Sequence, residues 1–85
     1  MQVSIIAPDK SVYSGSAYSI TVPSVQGSFT ALENHAPIVS ILEKGVIAVQ
    51  EKEGGKELSF NIKGGFVEIS DNVATACIEL DDNKQ

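Results

Sequence analysis

Residues 56–63 read Lys-Glu-Leu-Ser-Phe-Asn-Ile-Lys, and this stretch decides the fold. Its apolar residues, Leu58, Phe60 and Ile62, alternate with polar ones. A period of two is typical of a β-strand that rests one face on a core and turns the other to water. The same alternation recurs at residues 17–22. The chain therefore contains strands with one buried face.

Other short apolar segments, separated by Gly, Pro, Asn and Asp, extend this prediction along the chain. No stretch of ten or more residues carries a helical stripe. Strands are predicted at residues 2–7, 11–13, 17–22, 28–31, 39–42, 46–51, 56–63, 65–69 and 73–80. The sequence thus predicts an all-β domain over residues 1–80, with about nine or ten short, mostly antiparallel strands in a sandwich or small barrel. A polar tail is predicted at residues 81–85.

Glycine pairs punctuate the second half of the chain. Gly54-Gly55 predicts a tight two-residue hairpin turn before residues 56–63, because such turns need positive φ angles. Gly64-Gly65 predicts a bulge or a close backbone approach. It does not predict a phosphate loop, since no Lys-Ser/Thr pair and no helix follow it.

Composition excludes several classes of protein. The 85 residues carry six Lys and Arg against eleven Asp and Glu, a formal net charge of −5, so nucleic acid is not an expected partner. No apolar run approaches the length of a membrane span. The single cysteine, Cys77, excludes an internal disulfide.

Catalytic chemistry has little support in the sequence. His35 is the only histidine, no Cys or second His stands at ligand spacing from it, and no nucleophile-elbow motif occurs. We therefore predict no catalytic residue, no metal and no cofactor. A biotinyl- or lipoyl-type carrier domain is a weaker alternative, because Lys56 beside the hairpin lacks the flanking residues that those domains use.

The order of several short motifs resembles one family across nearly the whole chain, from residue 2 to residue 80. These motifs are Tyr13-Ser14-Gly15, Gly27-Ser28-Phe29, His35-Ala36-Pro37, Gly64-Gly65-Phe66-Val67-Glu68 and Asn72-Val73. Together they resemble the N-terminal domain of the epsilon subunit of rotary, proton-translocating ATP synthases. The resemblance implies a flattened β-sandwich, in agreement with the period-two pattern.

The resemblance also implies a function. In that family the epsilon subunit is a non-catalytic part of the central stalk, bound to the gamma subunit by one surface and to the c-ring by another. Carried over by position, the c-ring loop corresponds to Val25, Gln26, Gly27, Ser28 and Phe29. The corner that faces gamma corresponds to His35, Ala36, Pro37 and Ile38. Both segments are predicted to be exposed loops. A generic protein-binding β-sandwich is the alternative interpretation.

The sequence departs from the family pattern at three places. Ser28 and Thr30 stand where many members have glutamate and glycine, and Glu33-Asn34 replaces a common Pro-Gly pair. Many members also continue into two C-terminal helices that inhibit ATP hydrolysis, whereas this sequence ends at Gln85. We therefore expect coupling of rotation without helical inhibition or nucleotide binding. The expected location is the cytoplasmic side of the energy-coupling membrane, as a peripheral subunit without direct insertion into lipid.

Overall fold

A computed structural model describes residues 1–81, and over these residues the chain forms eight β-strands. Their bounds are β1 Gln2–Ala7, β2 Lys10–Ser16, β3 Ser19–Val22, β4 Phe29–Leu32, β5 Ile38–Leu42, β6 Gly45–Gln50, β7 Glu57–Ser70 and β8 Val73–Leu80. No helix occurs among residues 1–81, so none there could cross a membrane. The predicted all-β class is confirmed.

One long strand joins the two layers of the sandwich. The first half of β7 pairs with β6, which continues to β3 and β4, while its second half pairs with β5 on one edge and β8 on the other. From β8 the sheet continues to β1 and β2. All pairings are antiparallel except that of β1 with β8, which is parallel, so the mostly antiparallel prediction is confirmed.

The strand count was predicted too high because β7 is continuous. Residues 56–63 and 65–69 were predicted as two strands, but they form a single strand of 14 residues. The glycine pair shifts the register of β7 against β8 between Ile62 and Gly64 instead of ending the strand. The bulge predicted at Gly64-Gly65 is therefore confirmed, and its consequence is a bend that carries β7 from one layer to the other.

The hairpin between β6 and β7 exists, but its turn is wider than predicted. Gln50 pairs with Glu57, so six residues, 51–56, form the connection. Gly55 N donates to Lys52 O at 2.8 Å, and only Gly54 of the glycine pair has a positive φ, at 73°. The two-residue turn was therefore wrong. Lys56 follows this turn and is exposed.

The core fills the space between the two layers. The largest fully buried side chains come from both, with Val3, Ile5, Val67 and Ile69 on one side, Ile20, Val22, Ile47 and Val49 on the other, and Ile62 at the bend. Each fully buried aliphatic side chain contributes about 1.5 to 3 kcal/mol. Asp81, predicted to lie in the polar tail, is buried, and its amide donates to Asn61 O at 3.0 Å. The rest of that tail, residues 82–85, lies outside the described residues.

A hydrogen bond ties β2 to the loop between β6 and β7. Tyr13 Oη donates to Glu51 Oε2 at 2.7 Å, and the Tyr13 ring packs against Phe60 with centroids 6.0 Å apart. Burial, the hydrogen bond to Glu51 and the charge of that carboxylate, in this order of size, together raise the pKa of Tyr13 to about 12.

This shift predicts a pH dependence of stability. The fold prefers the neutral phenol, so its stabilising contribution is complete below the ordinary tyrosine pKa of about 10 and disappears as the pH rises towards 12. We expect the unfolding free energy of the natural chain, measured in urea, to fall more steeply between pH 9.5 and 11.5 than that of Tyr13→Phe. At pH 7 the variant should be about 1 kcal/mol less stable. Parallel curves for the two proteins would contradict the role given to this hydrogen bond.

Candidate interaction surface

The loop predicted to face the c-ring is a tight turn on the surface. Gly27 N donates to Ser24 O at 2.9 Å, and Gly27 has a φ of 124°, which favours glycine. Ser24 Oγ accepts a second bond, from Gln26 N at 3.2 Å. The four residues 25–28 are exposed. These bonds hold the turn in one conformation, so residues 25–28 present a defined surface.

Phe29, the last residue predicted in that loop, lies elsewhere. It is the first residue of β4, is half-buried and packs against the core. The prediction of an exposed loop residue was therefore wrong for Phe29. The physical reason is that Phe29 pairs with Val22 of β3, which anchors the aromatic ring at the edge of the sandwich.

The corner predicted to face gamma is held from both sides. Asn34 adopts a left-handed conformation, with φ at 62°, and its backbone N–H donates to the side-chain Oδ1 of Asn72 at 2.8 Å. His35 N donates to Leu32 O at 3.2 Å, and His35 Nδ1 lies 2.7 Å from Ala36 O. Glu33-Asn34 stands where many members of the family that the sequence resembles have Pro-Gly. The turn still forms, because asparagine tolerates a positive φ.

Only part of that corner is exposed. Ala36 and Pro37 are exposed and His35 is half-buried. Ile38, predicted as an exposed loop residue, is the first residue of β5 and packs against the core, so the prediction was wrong for Ile38. It pairs with Ile69 of β7, which explains its burial.

The structure brings the two predicted interfaces together. The rings of Phe29 and His35 stack, with centroids 6.0 Å apart and planes inclined by 26°. The segment predicted to face the c-ring and the corner predicted to face gamma therefore meet at this aromatic pair.

A larger surface was missed by sequence analysis. It lies on the outer face of the layer formed by β5, β7, β8 and β1, and we call it the apolar row. Ile41 pairs with Phe66, Phe66 with Cys77, and Cys77 with Ile6, so the four side chains stand side by side. Val25 extends the row beyond Ile41. Its backbone amide donates to Ile41 O at 3.0 Å, and the neighbouring residues Ser24 and Leu42 form an isolated antiparallel β-bridge, so Val25 lies next to Ile41.

The apolar row is well exposed. The exposed fractions are 59% for Ile41, 51% for Val25, 44% for Phe66 and 41% for Ile6, while Cys77 is half-buried. With strands about 4.8 Å apart, the row is roughly 19 Å long. A continuous exposed apolar stretch of this kind is typical of surfaces that bind a partner. The row therefore joins the turn at residues 25–28 to the middle of the sheet.

A sequence signal for the row existed. In Ile5-Ile6, Ile41-Leu42 and Phe66-Val67, two adjacent residues are both apolar, so the strand has apolar residues on both faces. Adjacent pairs alone do not say that the outward members align, because alignment depends on the register between strands.

A groove lies beside the row where Gly64 leaves the outer face without a side chain. It has a volume of about 540 Å³ and a mostly apolar lining, which includes Ile6, Pro8, Gly64, Phe66, Cys77 and Glu79. We call it the Gly64 groove. At Gly65, by contrast, the backbone of β8 approaches closely, since an added Cβ would lie 2.2 Å from Cys77 O. The predicted close approach is confirmed at this residue.

The surface offers binding more than chemistry. Among residues 1–81, no group of three His, Cys, Asp or Glu side chains is placed to hold a metal ion. Tyr13, whose pKa is raised to about 12, is on β2 and lies away from the apolar row. The exposed apolar row beside two hydrogen-bonded turns is the arrangement of a docking surface.

Comparison with known proteins agrees with this class. A family profile described as "ATP synthase, Delta/Epsilon chain, beta-sandwich domain" matches residues 1–79. The chain belongs to this family. The ATP synthase epsilon chain of Leptospira borgpetersenii serovar Hardjo-bovis (strain JB197) is 40% identical over 75 residues, which cover 88% of this chain and 58% of that protein. The epsilon chain of Leptospira interrogans (serovar copenhageni, strain Fiocruz L1-130) is 44% identical over 72 residues, covering 85% and 55%.

Solved structures share the fold. A chain in the cryo-EM structure of the Euglena gracilis mitochondrial ATP synthase, which contains OSCP, F1 and the c-ring, matches with a TM-score of 0.82 and 25% identity, over 96% of this chain and 56% of that one. A chain in the central stalk and c-ring structure of the Tetrahymena thermophila enzyme matches in fold, with a TM-score of 0.80 and 19% identity, over 99% and 67%. The chain thus spans a little over half the length of the two Leptospira relatives.

Proposed function

We propose that this chain is a non-catalytic rotor subunit of a rotary ATP synthase, which binds gamma and the c-ring and couples proton-driven rotation to ATP synthesis. The observation that carries the proposal is the exposed apolar row of a chain that belongs to the ATP synthase delta/epsilon family. As part of that complex, the chain would be a peripheral subunit on the cytoplasmic side of the energy-coupling membrane.

The gamma subunit is assigned to the apolar row from Ile41 to Ile6, together with the corner at His35, Ala36 and Pro37. An interface needs an apolar centre with a polar rim. Ile41 and Phe66 supply the centre, and polar residues of the neighbouring rows, such as Thr75 and Ser4, supply the rim.

The c-ring is assigned to the turn at residues 25–28. Its side chains are short or polar apart from Val25, which suits a contact smaller than the one to gamma. Phe29 supports the turn from β4 rather than forming its tip.

The architecture suits the transmission of torque. Because β7 belongs to both layers, the two halves of the sandwich cannot slide past each other without breaking its ladders with β5, β6 and β8. A partner that turns one face therefore carries the whole domain with it.

Site-directed crosslinking tests the proposal. In a Cys77→Ser background, Ser28→Cys and Ala36→Cys each place a photoreactive probe on an exposed residue of one assigned interface. In the assembled complex we expect Ser28 to crosslink to the c-subunit and Ala36 to gamma. Glu57→Cys, exposed at the far end of β7, is the matched control and should give neither product. Failure of gamma to co-purify with the tagged natural chain would overturn the proposal.

A further inference from the structure

We propose that the Gly64 groove and two flanking glutamates form a socket for one bulky apolar side chain that gamma presents next to lysines or arginines. The inference rests on the proposed function and adds the chemistry by which the partner is recognised.

The groove exists because residue 64 is glycine. Its position on β7 faces outwards between Leu42 on β5 and Glu79 on β8. An added Cβ there would meet one atom within 4 Å, Leu42 O at 3.4 Å, which is ordinary contact. The space above Gly64 is therefore open to a side chain from outside, and about 540 Å³ suffices for a Leu, Phe or Met.

The walls of the groove are apolar. Phe66 and Ile6 stand on its side towards the apolar row, and Pro8 closes the end next to β1. Cys77 contributes a half-buried thiol, which behaves as a small apolar group. A side chain that lies in this open groove therefore contacts apolar side chains, as at the apolar centre of an interface.

Acidic side chains stand on both sides of the apolar row. Glu68 lies on one side and Glu79 on the other, both exposed, and Lys63 is also exposed on β7 next to Gly64. Glu68 pairs with Thr75, and Glu79 pairs with Gly64. Among the described residues, neither carboxylate has an ion-pair partner within 4.0 Å. Lys10 and Lys63 line an adjoining polar depression together with Glu79, and Glu68 is not part of that depression.

This charge pattern selects the partner's chemistry. A neutral or acidic segment would leave Glu68 desolvated without compensation, whereas a basic residue next to the apolar side chain would pair with it, and a second basic residue would face Glu79. The socket therefore distinguishes a basic amphipathic segment from other apolar surfaces.

The test compares the natural chain with four variants in binding to purified gamma of the same organism, by calorimetry at low and high salt. Gly64→Leu fills the groove and should weaken binding at least about tenfold at both salt concentrations. The double variant Glu68→Gln/Glu79→Gln should weaken it about three- to tenfold at low salt, with a smaller effect at high salt.

The controls separate the possible causes. Gly64→Ala leaves most of the groove open and should bind within about threefold of the natural chain, and Glu57→Gln removes an exposed charge from β7 away from the socket and should have no effect. Circular dichroism of each variant verifies the fold. If the natural chain binds gamma and Gly64→Leu binds as tightly, the socket is overturned while the proposed function stands. If the natural chain does not bind gamma, both are overturned.

Discussion

Replacing Gly65 with alanine is expected to destabilise the domain severely. An added Cβ at this position would lie 2.2 Å from Cys77 O and 2.7 Å from Ile78 Cα. Both atoms belong to the backbone of β8, which cannot move away without breaking its pairing with β7 or β1. Gly65 also has a φ of 147°, which L side chains rarely adopt. We expect a loss of more than about 4 kcal/mol, against a total of about 4 to 13 kcal/mol for a domain of this size.

Urea unfolding followed by circular dichroism measures this loss. Gly64→Ala is the matched control, since its Cβ meets ordinary contact distances, and it should change stability by less than about 1 kcal/mol. Gly27→Ala isolates backbone strain, because Gly27 has a φ of 124° with no atom within 4 Å of an added Cβ. It should cost about 1 to 2 kcal/mol. A Gly65→Ala variant as stable as Gly27→Ala would show that β8 yields and would contradict the close-approach argument.

The sequence could predict strands wherever a local pattern decides them. β1 at Gln2–Ala7 and β8 at Val73–Leu80 fall where they were predicted, because turn residues bound each apolar segment. The division of β7 was wrong because a glycine pair can either end a strand or bend it. Which occurs depends on whether β5 and β8 continue the ladder past the glycines, and these strands are distant in sequence.

The candidate site shows the same limit. The turn at residues 25–28 and the left-handed Asn34 could be predicted, because glycine and asparagine act locally on φ. The burial of Phe29 and Ile38 could not, since it comes from pairing with Val22 and Ile69. The apolar row likewise depends on the register of four strands, so an exposed Ile41 is indistinguishable from a buried one until its neighbours are known.

The centre of the apolar row offers the strongest test of partner binding. Ile41 is 59% exposed and stands between Val25 and Phe66, so a charge there meets water in the free chain and apolar surface in the complex. We expect Ile41→Asp to raise the Kd for gamma at least about 100-fold, or about 2.7 kcal/mol. Because the natural side chain is mostly exposed, the unfolding free energy should fall by no more than about 1 kcal/mol.

Val46→Asp is the matched control for this experiment. Val46 is also an exposed aliphatic strand residue, at 45%, but it lies on β6 in the other layer and pairs with Asn61. Val46→Asp carries the same cost of placing aspartate in a strand. A difference in gamma affinity between the two variants therefore reports the interface rather than the fold. Unchanged gamma affinity of Ile41→Asp, or an equal loss in both variants, would remove the apolar row from the interface. A loss confined to Ile41→Asp would instead locate the gamma contact on the layer that contains β5, since the register of β5 against β7 aligns Ile41 with Phe66 on that face.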